Sequence, residues 1–341
     1  MASASVKDVA ALAQVSVGTV SNVLNRPEIV SAETVERVHL AMEKLSYVRN
    51  EAARQLRIGH SQAIGLITLS AANPFFTDVA TAAENAAADA GYSVIVGNSN
   101  ERLDRESGYL NLFEELRVRG VLLSPVGDAA ARLRRMRDRG IPAVLVDRIS
   151  SDNTFSSVSV DDVSGGALAA EHLIETGRTR IAFVGGPMAI QQVADRLAGA
   201  RSVVDRHPGV TLEVVDVDAL NVPEGRRAGQ AIAERPPAER PDAVFAANDL
   251  LAIGLLQTLF IDGRLAVPER IALIGYDDIQ FADASVVPLT SIRQPSHLIG
   301  ETAVQLLLEE AADPELEARR VLYQPELVVR ASTARSDSAG S

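Results

Sequence analysis

The side chains that could do chemistry in this 341-residue chain fall at the ends of short apolar runs. NPFF (Asn73–Phe76) follows AIGLITL, and Asp147-Arg148 closes PAVLVDR. Asp195-Arg196 opens the helix expected after VGG, NDLLAIG begins at Asn248, GYDD spans Gly275–Asp278, and Gln294 follows LTSIR. Carboxylates, amides, guanidinium groups and aromatic rings together suit a ligand with hydroxyls and apolar C–H faces. Each also has a structural reading, because a strand-end Asp often caps the next helix and NPFF can simply pack one. Bond-breaking machinery is not indicated. His39, His60, His172, His207 and His297 lack metal-ligand spacing. There is no G-x-x-x-x-G-K-[ST], H-E-x-x-H or G-x-S-x-G, and no Cys. We therefore expect no catalytic residues, no metal, no cofactor and no enzyme.

The elements that must position those groups are legible as alternating runs. AIGLITL, YSVIVGN, GVLLS, PAVLVD, RIAFVGG, AVFAAN and IALIGYD read as buried strands. Helical stretches such as TDVATAAENAAADAG and SGGALAAEHLIETG separate them. Continuous apolar strands linked by helices imply parallel sheets covered on both faces. Two such sets lie near 62–160 and 161–290, with a last helix around 295–312 and a terminal strand near 325–330. Two doubly wound lobes place a ligand at the carboxyl ends of their strands, in the cleft between them.

The first sixty residues follow a different pattern. Ser5 to Asp8 fits a capping box, and Val6, Val9, Ala10 and Ala13 keep helical spacing. Ser16 caps a second helix whose apolar stripe is Val17, Val20, Val23 and Leu24. Ser31 caps a third, with Val35, Val38, Met42 and Leu45 on one face. Only a tight turn fits between the first two, as in a helix-turn-helix.

From Val6 to Gly65 the chain resembles the DNA-binding head of the lac repressor / galactose repressor family, through KDVA, VS-x-x-TVS-x-VLN, VS-x-x-T and LSY in that order. Gln14 departs from the pattern, where relatives often carry Gly. The resemblance implies that Val17, Gly18 and Asn22 face base edges, with Asn suited to adenine and Val to a thymine methyl. It implies phosphate contacts by Ser16, Thr19 and Ser21. Residues 50–60 match the hinge helix, with Leu56 as a minor-groove wedge and Arg54 and Arg57 toward phosphates.

The body resembles the periplasmic sugar-binding fold that these repressors carry as a sensor. That likeness implies stacking by Phe75 and Phe76 and polar contacts by Asn73, Arg148, Arg196, Asn248, Asp277 and Gln294, with Asp147 and Asp249 as further contacts. Ribose-type sites often have a third aromatic near VDVDALNVPEG; here Leu220 is the nearest large apolar residue. The fold class expected is α/β: an all-α helix-turn-helix head (1–49), a hinge helix (50–60) and a two-lobed periplasmic-binding-protein-like body (61–331). The lobes are about 61–160 plus 293–325, and 161–292 plus the C-terminal strand. Residues 332–341 are read as a disordered tail.

The net charge of −12 argues against a general polyanion binder. Yet Met1 to His60 holds seven Lys/Arg against six Asp/Glu, a head of +1 on a remainder of −13. No stretch has the ~18–20 apolar residues of a membrane span, and the start does not read as a signal peptide. The expected protein is a cytoplasmic, homodimeric repressor. Its partners are a palindromic double-stranded DNA operator and a small sugar-like effector, with no membrane. A purine or nucleobase corepressor is the alternative effector. A transport-type binding protein would share the body but needs a secretion signal and has no use for the head, and a sugar-processing α/β enzyme needs a catalytic constellation that the sequence does not offer.

Overall fold

A computed structural model describes residues 4–47, 61–150, 154–261 and 265–334. It divides into two compact units, Met1–Ser61 and Gln62–Ser341. The expected hinge, with Arg54, Leu56 and Arg57, lies outside the described residues.

The first unit is three helices, α1 (Val6–Ala13), α2 (Val17–Asn25) and α3 (Ala32–Lys44). Ser5 and Asp8 form the reciprocal capping box, and Ser16 and Ser31 each accept a backbone N–H at their helix starts. Val9, Val20 and Val38 are fully buried and meet in one small core. Gln14 ends α1 in the left-handed region at φ 55°. A side chain there costs about 1–2 kcal/mol, so the family's glycine is missed in strain but the turn still closes, with Val15 N–H donating to Ala10 O at 3.0 Å.

The second unit holds two six-stranded sheets. The first contains β1 (Ala63–Thr68), β2 (Ser93–Asn98), β3 (Val121–Leu123), β4 (Ala143–Val146), β5 (Ser157–Val160) and β11 (Arg320–Tyr323), in the order β11-β5-β4-β3-β1-β2. The second contains β6 (Arg180–Gly185), β7 (Thr211–Asp216), β8 (Ala243–Ala246), β9 (Ala272–Asp277), β10 (Thr290–Arg293) and β12 (Glu326–Val328), in the order β12-β10-β9-β8-β6-β7. All pairs are parallel except β10 with β12.

Helices cover both sheets. In the first lobe these are α4 (Pro74–Asp89), α5 (Leu103–Glu115) and α6 (Ala130–Arg137). The second lobe has α7 (Asp162–Glu175), α8 (Gln191–Val204), α9 (Val222–Glu234), α10 (Asp249–Leu256) and the short α11 (Gln280–Asp283). The last helix, α12 (Ser296–Ala312), returns to pack on α4. Central strands such as β4 and β8 are buried throughout. Phe183 and Phe245 meet edge to face at 5.2 Å in the second core, and burying each such side chain is worth about 1.5–3 kcal/mol.

The chain passes between the lobes three times, after β5, β10 and β11. Asp162 stands at the end of the first passage and Gln294 within the second. Residues 332–334, expected to belong to a disordered tail, are ordered. Ser332 and Thr333 are fully buried in a short 3-10 turn. Ser332 Oγ donates to Leu273 O at 2.6 Å and accepts from Thr290 N–H at 2.8 Å. Short polar residues that look like tail in sequence are here used to close the edge of the second lobe.

The crossing of α7 and α8 sets one wall of the cleft. A Cβ at Gly166 would lie 1.9 Å from Arg196 O, and one at Gly199 would lie 1.9 Å from Val163 O. Gly166→Ala is expected to force these helices apart and destabilise the body by about 1–3 kcal/mol, read as a lower urea midpoint at unchanged far-UV dichroism of the native state.

Candidate functional site

A cavity of about 440 Å³ lies between the lobes at the carboxyl ends of the strands. Eight of the ten expected body contacts line it: Asn73, Phe75, Phe76, Asp147, Arg196, Asn248, Asp277 and Gln294. Leu69, Ser70, Glu101, Ile190, Gln192 and Leu220 complete the wall. Leu220 therefore does stand on the cavity.

Asn73 caps α4, its Oδ1 accepting from Phe75 N–H at 3.1 Å. Its Nδ2 donates across the cleft to Asp277 Oδ2 at 2.8 Å. Phe75 and Phe76 pack edge to face, centroids 5.0 Å apart. Asp277 ends β9 with φ 106°, and its Oδ1 accepts from Gln294 Nε2 at 2.7 Å. Asn248 caps α10 through Leu251 N–H and donates to Leu220 O at 3.3 Å. Asp147 follows β4 at φ 56°. Gln192 Nε2, from the opposite lobe, donates to Asp147 Oδ2 at 2.9 Å and to its backbone oxygen at 2.5 Å. Non-glycine residues at positive φ persist only where surrounding structure holds them, and they gather at ligand sites.

Arg196 is 4% exposed. Its Nε donates to Asp162 Oδ1 at 2.7 Å and its Nη1 to Ala247 O at 2.7 Å. Asp277 Oδ1 lies 3.9 Å from Nη1, and the guanidinium sits 3.6 Å from the centroid of Tyr276. Burial works against this charge, but Asp162, Asp277 and Asp147 outweigh it and hold the proton more tightly than usual. The carboxylates respond oppositely. Burial and the neighbouring Asp162 push Asp147 up to about 8. Burial also raises Asp162 and Asp277, against the pull of Arg196.

Two buried oxygens in the cavity wall have no partner, Asp147 Oδ1 and Gln294 Oε1. An unsatisfied buried polar atom costs about 1–3 kcal/mol, and with Asp147 holding its proton the pair favours a molecule whose groups both accept and donate hydrogen bonds, as hydroxyls do. Among the described residues no group of three metal-ligating side chains occurs.

Two expected contacts are not brought to the cavity. Asp249 is fully buried beneath β9 and β10, where Oδ2 accepts from Ile279 N–H at 2.9 Å and Oδ1 from Ser291 Oγ at 2.7 Å. Its carboxylate braces the strand ends. Arg148 is half-buried off the lining, and its charge is felt by Glu106 and Asp195. Asp195 and Arg196 lie one turn inside α8 rather than at its start. Gln192 was not singled out from sequence. Its signal was its place four residues before Arg196, on the same helical face.

In the head, Ser16, Val17, Gly18 and Asn22 are exposed on one end of α2 while Val20 and Val23 are buried. Thr19 N–H donates to Ser16 Oγ at 3.0 Å, and Asn25 Nδ2 donates to Ser21 O at 2.7 Å. Ser16 Oγ and Thr19 Oγ1 lie 2.9 Å apart, and Asn25 Nδ2 also donates to Ser21 Oγ at 3.3 Å, so all three hydroxyls already take part in local bonds.

Residues 5–50 match the model of bacterial regulatory proteins of the lacI family, and residues 170–333 match a periplasmic binding protein-like domain. The ribose operon repressor of Escherichia coli K12 is 32% identical over 342 residues, covering 96% of this chain and 99% of that protein. The HTH-type transcriptional repressor PurR of Aliivibrio fischeri ES114 is 33% identical, covering 97% and 98%. The lac repressor dimer bound to operator and the anti-inducer ONPF has a TM-score of 0.84 at 29% identity, covering 98% of this chain and all of that one. These relatives are transcriptional repressors and not enzymes.

A carboxyl group raised in the folded state binds a proton that the unfolded chain has released. The stability contributed by protonated Asp147 is therefore full below about pH 4 and lost as pH rises through about 8. Asp147→Asn is expected to flatten this decline and to raise the melting temperature at pH 8 by a few degrees, measured by calorimetry from pH 5 to pH 9.

Proposed function

As the chain belongs to the lacI family of bacterial regulatory proteins, and so is a transcriptional repressor with a sugar- or purine-binding body, we propose that it binds a near-palindromic operator as a homodimer. We assign its release to a neutral, sugar-like effector held between the two lobes. The observation that carries this reading is the pairing, in one chain, of a capped helix with exposed Val17, Gly18 and Asn22 and a cavity between the lobes with an unpartnered carboxyl oxygen and an unpartnered amide oxygen in its wall.

In this reading Val17, Gly18 and Asn22 meet base edges in the major groove, while Ser16, Thr19 and Ser21 hold phosphates with the start of α2. Hinge residues Arg54, Leu56 and Arg57 engage the backbone and minor groove. Two-fold symmetry of the dimer is mirrored in the operator. The effector takes hydrogen bonds from and to Asn73, Asp147, Arg196, Asn248, Asp277 and Gln294, with Gln192 added, and packs on Phe75 and Phe76. Arg148 and Asp249 are left out of this set. Setting Asp147 and Gln294 against a polyol's hydroxyls, which both donate and accept, satisfies both oxygens. An effector of this kind releases DNA only by binding one arrangement of the body better than the other. The protein acts on DNA in the cytoplasm, and no described helix is long and apolar enough to cross a membrane.

The test is an anisotropy titration of an operator selected from random duplex DNA. Binding is expected to weaken steeply with salt and to be reversed by a neutral sugar. Asn22→Ala is expected to cost about 1–3 kcal/mol and to relax preference at one base pair per half-site. No DNA affinity in any ligand state contradicts the proposal. Tighter operator binding on adding the ligand reverses its sign and favours a corepressor.

A further inference from the structure

The cavity opens into a second, outer chamber. The two share Leu69, Ser70, Glu101, Ile190 and Leu220, and the outer one encloses about 1140 Å³ up to open solvent. Its walls come from both lobes: Ala72, Pro125 and Val126 on one side, Pro187, Ala189 and Ala219 on the other. Asn100, Glu101, Asp218 and Asn221 stand among its lining. Of the two, the outer chamber is much the roomier.

The outer chamber is built rather than incidental. Asn100 and Glu101 are consecutive residues at positive φ, 50° and 58°. They are pinned there: Asn98 Oδ1 accepts from both Asn100 N–H (3.0 Å) and Ala71 N–H (3.2 Å), and Glu101 N–H donates to Leu69 O at 3.1 Å. On the same wall, Glu106 Oε2 accepts from Val126 N–H at 2.7 Å. Two adjacent non-glycine residues in this conformation cost about 1–2 kcal/mol each, a cost met where a binding surface needs the shape.

The two chambers differ in chemistry. Unpartnered carboxyl and amide oxygens lie in the inner one, Asp147 Oδ1 and Gln294 Oε1. The outer has apolar C–H walls rimmed by amides and carboxylates. Arg196 is the one cationic side chain lining either chamber, and its Nε and Nη1 already serve Asp162 and Ala247 O. Glu101 and Asp218 add negative charge, so neither chamber is prepared for a phosphate or carboxylate.

We propose that the effector is an uncharged glycoside of two parts: one sugar ring in the inner chamber, and a second ring, joined to it, in the outer chamber. This rests on the sugar-effector reading above and narrows it. A second ring touches both lobes at the mouth, which adds contacts that exist only when the lobes are together and so increases the ligand's preference for that arrangement.

The test is calorimetric titration of the full chain with cellobiose, maltose, lactose, melibiose, sucrose, trehalose and xylobiose. D-glucose, D-galactose, D-xylose, D-ribose, glucose 6-phosphate and hypoxanthine are titrated alongside. At least one disaccharide is expected to bind about tenfold or more tighter than any monosaccharide or the sugar phosphate. Ala189→Trp and Ala72→Trp, exposed positions on opposite outer walls, are expected to abolish that advantage while leaving the affinity for its inner-ring monosaccharide within about twofold. A monosaccharide binding as tightly as every disaccharide, or glucose 6-phosphate binding best, overturns the two-part glycoside and leaves a sugar effector standing. Binding of hypoxanthine with no sugar, or of nothing in the panel, overturns the sugar-effector reading itself.

Discussion

The body depends on how it accommodates one buried guanidinium. Removing the Arg196 charge from water costs several kcal/mol unless it is paired and hydrogen-bonded. Its partners come from separate parts of the chain: Asp162 from the first passage between lobes, Ala247 O from beyond β8, Asp277 from the end of β9, and the ring of Tyr276 beneath. Asp277 is held in turn by Asn73 of the other lobe and by Gln294 on the second passage. The network that neutralises one arginine therefore also joins two lobes and two connecting segments, and forms the floor of the cavity.

Carboxylates outnumber cations in that network, so it cannot be fully ionised. Asp147, raised to about 8 by burial and Asp162, carries part of the imbalance as a retained proton. Its bond from Gln192 and the bond from Asn73 to Asp277 are the polar links that cross directly between lobes at the cavity wall. A ligand entering there meets the same side chains that hold the lobes together. Effector chemistry and lobe arrangement are consequently one problem: whatever satisfies Asp147 Oδ1 and Gln294 Oε1 changes the balance of bonds across the cleft.

Much of this was legible in the sequence because it obeys simple periodicities. Continuous apolar runs announced β1, β4, β6, β8 and β9, and serine caps announced α2 and α3. Strand-end polar residues announced eight cavity groups, because the ends of parallel strands converge in space. What was missed has physical causes. SVSV of β5 does not read as a buried strand, yet Ser157 and Ser159 are buried. TLEVVD of β7 is an edge strand with alternating exposure, and it lacks a continuous apolar run. Asp249 carries the same strand-end signal as Asp277, but one residue of register turns it under the sheet ends toward Ser291 and Ile279. Gln192 is an amide on a helix start, and only the approach of the opposite lobe gives it Asp147 as a partner. The place of Ser332 and Thr333 within the body depends on hydrogen bonds to Thr290 and His172 that no local pattern encodes.

The proposed release of operator by a sugar requires the Arg196 network to hold the cleft. The most direct measurement is operator anisotropy of Arg196→Gln with and without the sugar that releases the unaltered protein, after native-state dichroism shows the variant folded. Operator affinity is expected to stay within about threefold of the original, with loss of release at sugar concentrations that free the original protein from DNA. A folded variant that is released by the sugar as readily as the original would contradict that requirement.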